Sequence, residues 1–210
     1  MKRSRSASLA ALVLTLALSA CSTMPPSDAE QSKRKQLYDL RWERMAGLDS
    51  WALEGRLAVN DGEDGGSGRL NWNERGDSSR MDFHGAFGRG AWRLQTDADG
   101  AVLELADGAR YEAPTVADLV WGQVGWDIPV DALAWWVRGL AAPGDVQARV
   151  LDDSGRLVEL QQRDWSIVFG RYRAFGGWEL PVKMTARQAD RSVKVAVRSW
   201  AFPVGGSSDD

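Results

Sequence analysis

The 210-residue sequence predicts a mainly β domain with a few α-helices, and three observations lead there. Short segments in which apolar and polar residues alternate with period two recur from residue 51 to residue 200. Only three stretches, near residues 32–48, 114–120 and 130–139, place apolar residues at helical spacing. Tryptophan occurs 11 times against 3 Tyr and 5 Phe, so the fold has to offer a large apolar volume to indoles. Ten or eleven strands in one antiparallel meander, with so few helices to cover them, either curl into a barrel or leave a concave apolar surface.

The N-terminus is an address. Residues 1–20 begin with the basic run Met1-Lys2-Arg3-Ser4-Arg5, continue as an apolar run from Leu9 to Leu18 and close on small residues, the layout of a secretory signal peptide. The run is too short for a permanent spanning helix. Leu18-Ser19-Ala20-Cys21 has the form of a bacterial lipobox, which makes Cys21 an acylation site and the mature N-terminus. Plain secretion with a free thiol is the alternative. Several acyl chains on one residue, at roughly 0.8 kcal/mol per buried CH2, anchor a domain without a transmembrane helix. Ser22, rather than Asp, after the cysteine is the outer-membrane sorting signal of such lipoproteins, which puts the domain on the periplasmic face of that membrane. Residues 21–31, with Pro25-Pro26-Ser27-Asp28, read as the acylated end and a flexible, extended linker.

The elements follow in order. Over residues 32–48, Tyr38, Trp42 and Met45 fall at i, i+4, i+7, flanked by Leu37, Leu40 and Leu48; such a face lies on a membrane surface or packs against its own domain. In the first strand Trp51, Leu53, Leu57 and Val59 share one face and Glu54 and Arg56 the other. A Gly- and Asp-rich loop at 61–68 turns the chain. Leu70 and Trp72, Met81 and Phe83, Trp92 and Leu94, then Leu103 and Leu105 continue the alternation, with Asp99-Gly100 seeding a hairpin. Pro114 starts a short helix carrying Val116, Leu119 and Val120, and Val130, Leu133, Ala134 and Val137 mark another that stops at Gly139. Strands near 147–152, 156–163, 165–171, 178–187 and 192–200 complete the meander, with Val193, Val195 and Val197 opposite Lys194 and Arg198.

Several function classes are excluded by composition. The net charge is −3; residues 1–20 hold Lys2, Arg3 and Arg5 and no acid, so the remainder carries 23 bases and 29 acids, net −6. No basic footprint for nucleic acid follows from that balance. One cysteine and one histidine, His84, leave neither a disulfide within the chain nor a Cys/His metal cluster, and no cofactor motif is present. A Ser-His-Asp hydrolase would need His84, which alternation places on the polar face. Gly62 to Gly68 lack the lysine and following helix of a phosphate loop, and Asp152-Asp153 sit at a turn, so the chain is not read as an enzyme.

The order of motifs resembles the LolB family of outer-membrane lipoprotein receptors. Those motifs are the lipobox, Trp51 through Gly55-Arg56-Leu57-Ala58-Val59, Gly68-Arg69-Leu70-Asn71-Trp72, Gly85-Ala86-Phe87-Gly88, and Ile128-Pro129-Val130 with Leu133, Trp136, Val137 and Gly139. Trp165 to Phe169 with Tyr172, Leu180-Pro181-Val182-Lys183 and Trp200 extend the likeness over residues 21–200. The resemblance implies an incomplete, half-open antiparallel β-barrel of about eleven strands, with α-helices covering an apolar cavity. It divides the chain into signal peptide (1–20), acylated linker (21–31), lipoprotein-binding domain (32–200) and polar tail (201–210). It implies a monomeric receptor that takes lipoproteins from a periplasmic LolA-type carrier by their acyl chains and inserts them among outer-membrane phospholipids.

Residue roles follow from the same resemblance. Gly85, Ala86, Phe87 and Gly88 stand where the family carries a membrane-delivery loop, here with Ala86 where proline is common and Phe87 where leucine is common. Phe87 is an exposed apolar tip between glycines, or else a strand-end residue folded into the core. Leu57, Leu70, Trp72, Phe83, Trp92, Leu94, Leu103 and Val195 face inward on the sheet, and Leu133, Trp136 and Val137 face them from a helix. That set lines an acyl-chain cavity or simply fills the interior. A lipoprotein scaffold in an outer-membrane assembly complex, which would need apolar patches on the outer face, and a carrier of another apolar small molecule are the alternative functions.

Overall fold

The computed structural model describes residues 26–60, 62, 65–85, 90–124 and 129–203. Helix α1 (Asp28–Ala46) leads into strands β1 (Ser50–Asn60), β2 (Gly65–Arg75), β3 (Ser78–Gly85), β4 (Trp92–Asp97), β5 (Gly100–Leu105) and β6 (Arg110–Ala113). Helix α2 (Val116–Leu119) runs into a π-helical turn, Val120–Val124, before α3 (Val130–Trp136). Strands β7 (Ala148–Leu151), β8 (Leu157–Gln162), β9 (Trp165–Phe169), β10 (Tyr172–Phe175), β11 (Trp178–Pro181), β12 (Lys183–Gln188) and β13 (Arg191–Ala201) complete the chain. Among the described residues no helix is long and apolar enough to cross a membrane.

Eleven strands form one antiparallel sheet in the order β6-β5-β4-β3-β2-β1-β13-β12-β9-β8-β7, and β10–β11 is a separate hairpin. The sheet is open, because β6 and β7 end the order without pairing to each other. Its two halves join where β1 pairs with β13, at a register that sets Leu57 opposite Val195 and Leu53 opposite Trp200. The mainly β class and the open antiparallel sheet of eleven strands agree with expectation.

Several details differ. Helix α1 begins at Asp28, inside the expected linker, because Ser27 and Glu30 form a reciprocal capping box: Glu30 N–H donates to Ser27 Oγ at 3.4 Å and Ser27 N–H to Glu30 Oε2 at 2.8 Å. The expected strand 178–187 is two strands, since Pro181 has no N–H for a ladder and the backbone switches partners at Val182, which donates to Arg171 O and accepts from Val197 N. The expected strand 165–171 ends at Phe169, and β6 and β10, four residues each, are too short to show alternation. The apolar face of α1 is also narrower than its sequence suggests: Tyr38 and Met45 are buried and Trp42 half-buried, whereas Leu40 is 64% exposed.

Candidate functional site

The inner face of the sheet is built by register. One row runs across the strands as Trp200, Leu53, Trp72, Met81, Leu94 and Leu103, and the next as Leu70, Phe83, Trp92 and Leu105. Leu119, Val120, Leu133, Trp136, Val137 and Leu140 join these rows in one contiguous apolar cluster, so α2 and α3 are its roof. Of the residues expected to face inward, Leu57, Leu70, Trp72, Phe83, Leu94, Leu103, Val195, Leu133, Trp136 and Val137 are all buried in it. Trp92 is half-buried at its margin, its ring stacked 5.2 Å from that of Phe83.

A third inner-face row differs. There Leu57 stands opposite Gly68, which stands opposite Gly85, and Val59 stands opposite Gly66. The row is thus glycine on β2 and β3 and continues as the buried Leu57, Val195, Met184 and Phe169 across β1, β13, β12 and β9. A Cβ on Gly68 would run into the His84 carbonyl, so glycine is what lets the backbones approach there. Gly85, at the end of β3, completes this glycine pair; Ala86, Phe87 and Gly88 lie outside the described residues, as does Cys21.

The roof is pinned by buried polar groups that periodicity did not reveal. Gln162 on β8 is fully buried; it accepts from Trp136 Nε1 at 3.0 Å and Ala142 N–H at 2.9 Å and donates to Ala142 O at 2.7 Å. Arg138, 5% exposed, donates to Ala134 O, Met45 O and Leu48 O, closing the C-terminus of α1 where cations are favoured. Its guanidinium lies 4.7 Å from the Trp135 ring centroid and 5.8 Å from that of Trp51. Burial lowers the Arg138 pKa to about 10, and the Glu74 charge opposes that shift. Burial raises the Glu74 carboxyl above its ordinary value, while bonds from Ser79 Oγ and Trp72 Nε1, each at 2.7 Å, hold it down. Helix α1 clasps the same segment: Ala141 N–H donates to Tyr38 Oη and Trp42 Nε1 to Ala141 O, both at 3.0 Å, while Trp42 stacks on Trp135 at 5.6 Å. So α1 packs on its own domain. The described side-chain bonds of α2, by contrast, stay within its first turn, between Thr115 and Asp118.

The outer face is polar. His84 is exposed, with Arg69 opposite it on β2. Val150 and Val168 are exposed but stand on either side of Glu159 in the ladder, and singly exposed apolar residues are normal on a protein surface. No group of three or more His, Cys, Asp or Glu side chains among the described residues could hold a metal ion.

The open antiparallel sheet with helices seated on its apolar face has a counterpart among solved structures. A solved structure of a putative outer-membrane lipoprotein-sorting protein domain from Vibrio parahaemolyticus superposes with a TM-score of 0.51, covering 86% of this chain and 96% of that one at 10% identity, a likeness of fold alone. The family model described as Outer membrane lipoprotein LolB matches residues 49–200. The outer-membrane lipoprotein LolB of Pseudomonas fluorescens strain Pf0-1 is 40% identical over 159 residues, 75% of this chain and 77% of its own length. That of Pseudomonas aeruginosa strain LESB58 is 36% identical over 194 residues, 91% and 94% of the two chains. The chain belongs to the LolB family of outer-membrane lipoproteins.

Proposed function

We propose that the protein receives lipoproteins from a LolA-type periplasmic carrier by taking their acyl chains onto its roofed inner face, and passes them into the outer membrane. The observation that carries this reading is an apolar inner face roofed by helices in a LolB-family chain, with glycines on β2 and β3 beside the start of the Gly85–Gly88 loop. Acyl chains enter beside those glycines, along Leu57, Leu70 and Phe83. The other inward residues, Trp72, Trp92, Leu94, Leu103, Val195, Leu133, Trp136 and Val137, rearrange to hold them. Helix α2 and its π turn are the roof element that yields: no described side-chain bond ties them to the sheet, and π-helical turns are frequent at functional sites.

Such a receptor solves a solvation problem. Three chains of about 16 carbons expose tens of CH2 groups at roughly 0.8 kcal/mol each, so an unescorted lipoprotein does not cross water. With no nucleotide to drive it, net flow requires affinity to rise from carrier to receptor to bilayer. In this reading residues 1–20 direct export, an acylated Cys21 and the following linker tether a monomeric domain to the periplasmic face, and Phe87 enters the bilayer at the moment of release.

The test mixes the Cys21→Ala protein with a carrier-bound triacylated lipoprotein and asks which protein holds the cargo after separation. Transfer to this chain without nucleotide is expected; cargo that stays on a competent carrier refutes the receptor. Phe87→Glu should accept cargo yet fail to pass it to vesicles, and unimpaired delivery would remove Phe87 from the mechanism.

A further inference from the structure

Ion pairs are unevenly spread over the outer face of the sheet. On β3 to β6 the arginines hold carboxylates: Arg80 and Arg93 share Asp82 at 2.8 and 2.7 Å, and Arg110 reaches Glu104 and Glu112 at 2.9 Å each. At the centre of the sheet the arrangement reverses. Among the described residues no ion pair includes Arg56, Arg69, Lys183, Lys194 or Arg198. Register puts these cations together: Arg69 lies opposite His84 on one side and Arg56 on the other, Arg56 opposite Ala196, and Ala196 opposite Lys183. The result is an exposed row that carries Arg69, Arg56 and Lys183, runs from His84 on β3, and is flanked on β13 by Lys194 and Arg198 on either side of Ala196.

Like charges directly opposite on adjacent strands destabilise a sheet, so the Arg56–Arg69 pair costs stability that an acid at either position would recover. The bulge between Glu54 and Gly55 opens a depression of about 370 Å³ beside that pair, with Arg198 on its far side. Glu54 at its rim accepts a hydrogen bond from Ser199 Oγ at 3.4 Å and leaves the guanidinium groups unpaired. Forked guanidinium donors side by side match phosphate oxygens. The row also ends at His84, the residue before Gly85 and the delivery loop.

We propose that this outer-face row docks onto anionic phospholipid headgroups of the receiving bilayer and holds the domain with its delivery loop against the membrane. The proposal rests on the delivery role given above to the Gly85–Gly88 loop. Charge complementarity selects the occupant. The chain as a whole is acidic, net −3, so an anionic surface repels it in most orientations and attracts it through this row. A plane of phosphates offers many partners at once to cations spread over four strands.

The test uses the Cys21→Ala protein with residues 1–20 removed, which is held neither by its own acyl chains nor by the basic, apolar N-terminal run, in flotation with vesicles of phosphatidylcholine alone or with about a third phosphatidylglycerol. Binding to the anionic vesicles should exceed binding to the neutral ones and fade as salt rises from about 0.01 to 0.5 M. Arg56→Gln and Arg69→Gln should each weaken it about fivefold, the equivalent of about 1 kcal/mol per basic residue near an anionic surface. Arg110→Gln, in the ion-paired region, should leave it unchanged. The Arg56→Gln/Arg69→Gln protein should also unfold at equal or higher urea, since a repulsion is removed; if it does not fold, Lys183→Gln/Arg198→Gln carries the same measurement. Equal binding to both vesicle types, or full binding by the double variant, overturns the proposal. So does a double variant that binds vesicles normally but takes cargo from the carrier more slowly, which would assign the row to an acidic protein partner. Cargo acceptance without vesicles is measured alongside: if it persists while headgroup binding fails, the receptor stands and only this inference falls.

Discussion

Replacing Gln162 with leucine tests whether the roof is held by hydrogen bonding or by apolar packing alone. Leucine fills nearly the same volume, so the perturbation is one of polarity. It orphans three buried groups: the Trp136 indole N–H and the N–H and C=O of Ala142. Each unsatisfied buried group costs about 1–3 kcal/mol. Pro143 next to Ala142 is exposed, so water can reach part of the set, and the expected loss is about 3–5 kcal/mol. Urea unfolding of the Cys21→Ala protein, followed by tryptophan fluorescence, measures it as a lower midpoint at constant m. A double-mutant cycle with Trp136→Phe isolates the indole bond: Gln162→Leu/Trp136→Phe should lose about 1–2 kcal/mol less than the two single variants together, because no indole is left to orphan. Additive losses, or a Gln162→Leu cost under about 1 kcal/mol, would refute the reasoning and make α3 a helix held by apolar contact only.

Three further outcomes follow from the same structure. Gly139→Ala should destabilise by about 2–4 kcal/mol, since φ is +74° there and a Cβ would sit 2.6 Å from Tyr172 Oη; an unchanged melting midpoint would contradict it. Arg138→Met leaves Met45 O and Leu48 O without their donor and removes a cation that, after the bonds from Ser79 and Trp72, helps to hold the Glu74 carboxyl down. Glu74 is raised when folded, so its contribution to stability is fully present below the unfolded value of 4.5 and is lost as pH rises through the folded value; the variant should lose more between pH 4.5 and 7, by about 1.4 kcal/mol for every pH unit the carboxyl climbs further, and parallel pH profiles of the two proteins would count against it. Cys21→Ala should move the protein out of the outer-membrane fraction, and retention there would exclude lipid anchoring.

Much of this protein was legible one residue at a time. Period-two alternation assigned Leu57, Leu70, Trp72, Phe83, Leu94, Leu103 and Val195 to a single face, because adjacent side chains on a strand point to opposite sides whatever the strand pairs with. The helical spacing of Leu133, Trp136 and Val137 worked for the same local reason. Ser27 and Glu30 carried a readable cap as well, although the prolines before them drew that stretch toward a linker.

Tertiary structure alone decided which distant residues became neighbours. Nothing near Gln162 announces that it will satisfy Trp136 and Ala142, 26 and 20 residues away, nor that Arg138 will bond Met45 O, 93 residues earlier, at the end of a helix. The basic row likewise exists only through register: Arg56, Arg69, His84 and Lys183 sit on four strands whose alignment no local pattern encodes. Alternation states the face on which a side chain emerges; the pairing of strands far apart in the chain states what it meets there, and a slip of one residue would turn every one of these side chains to the opposite face.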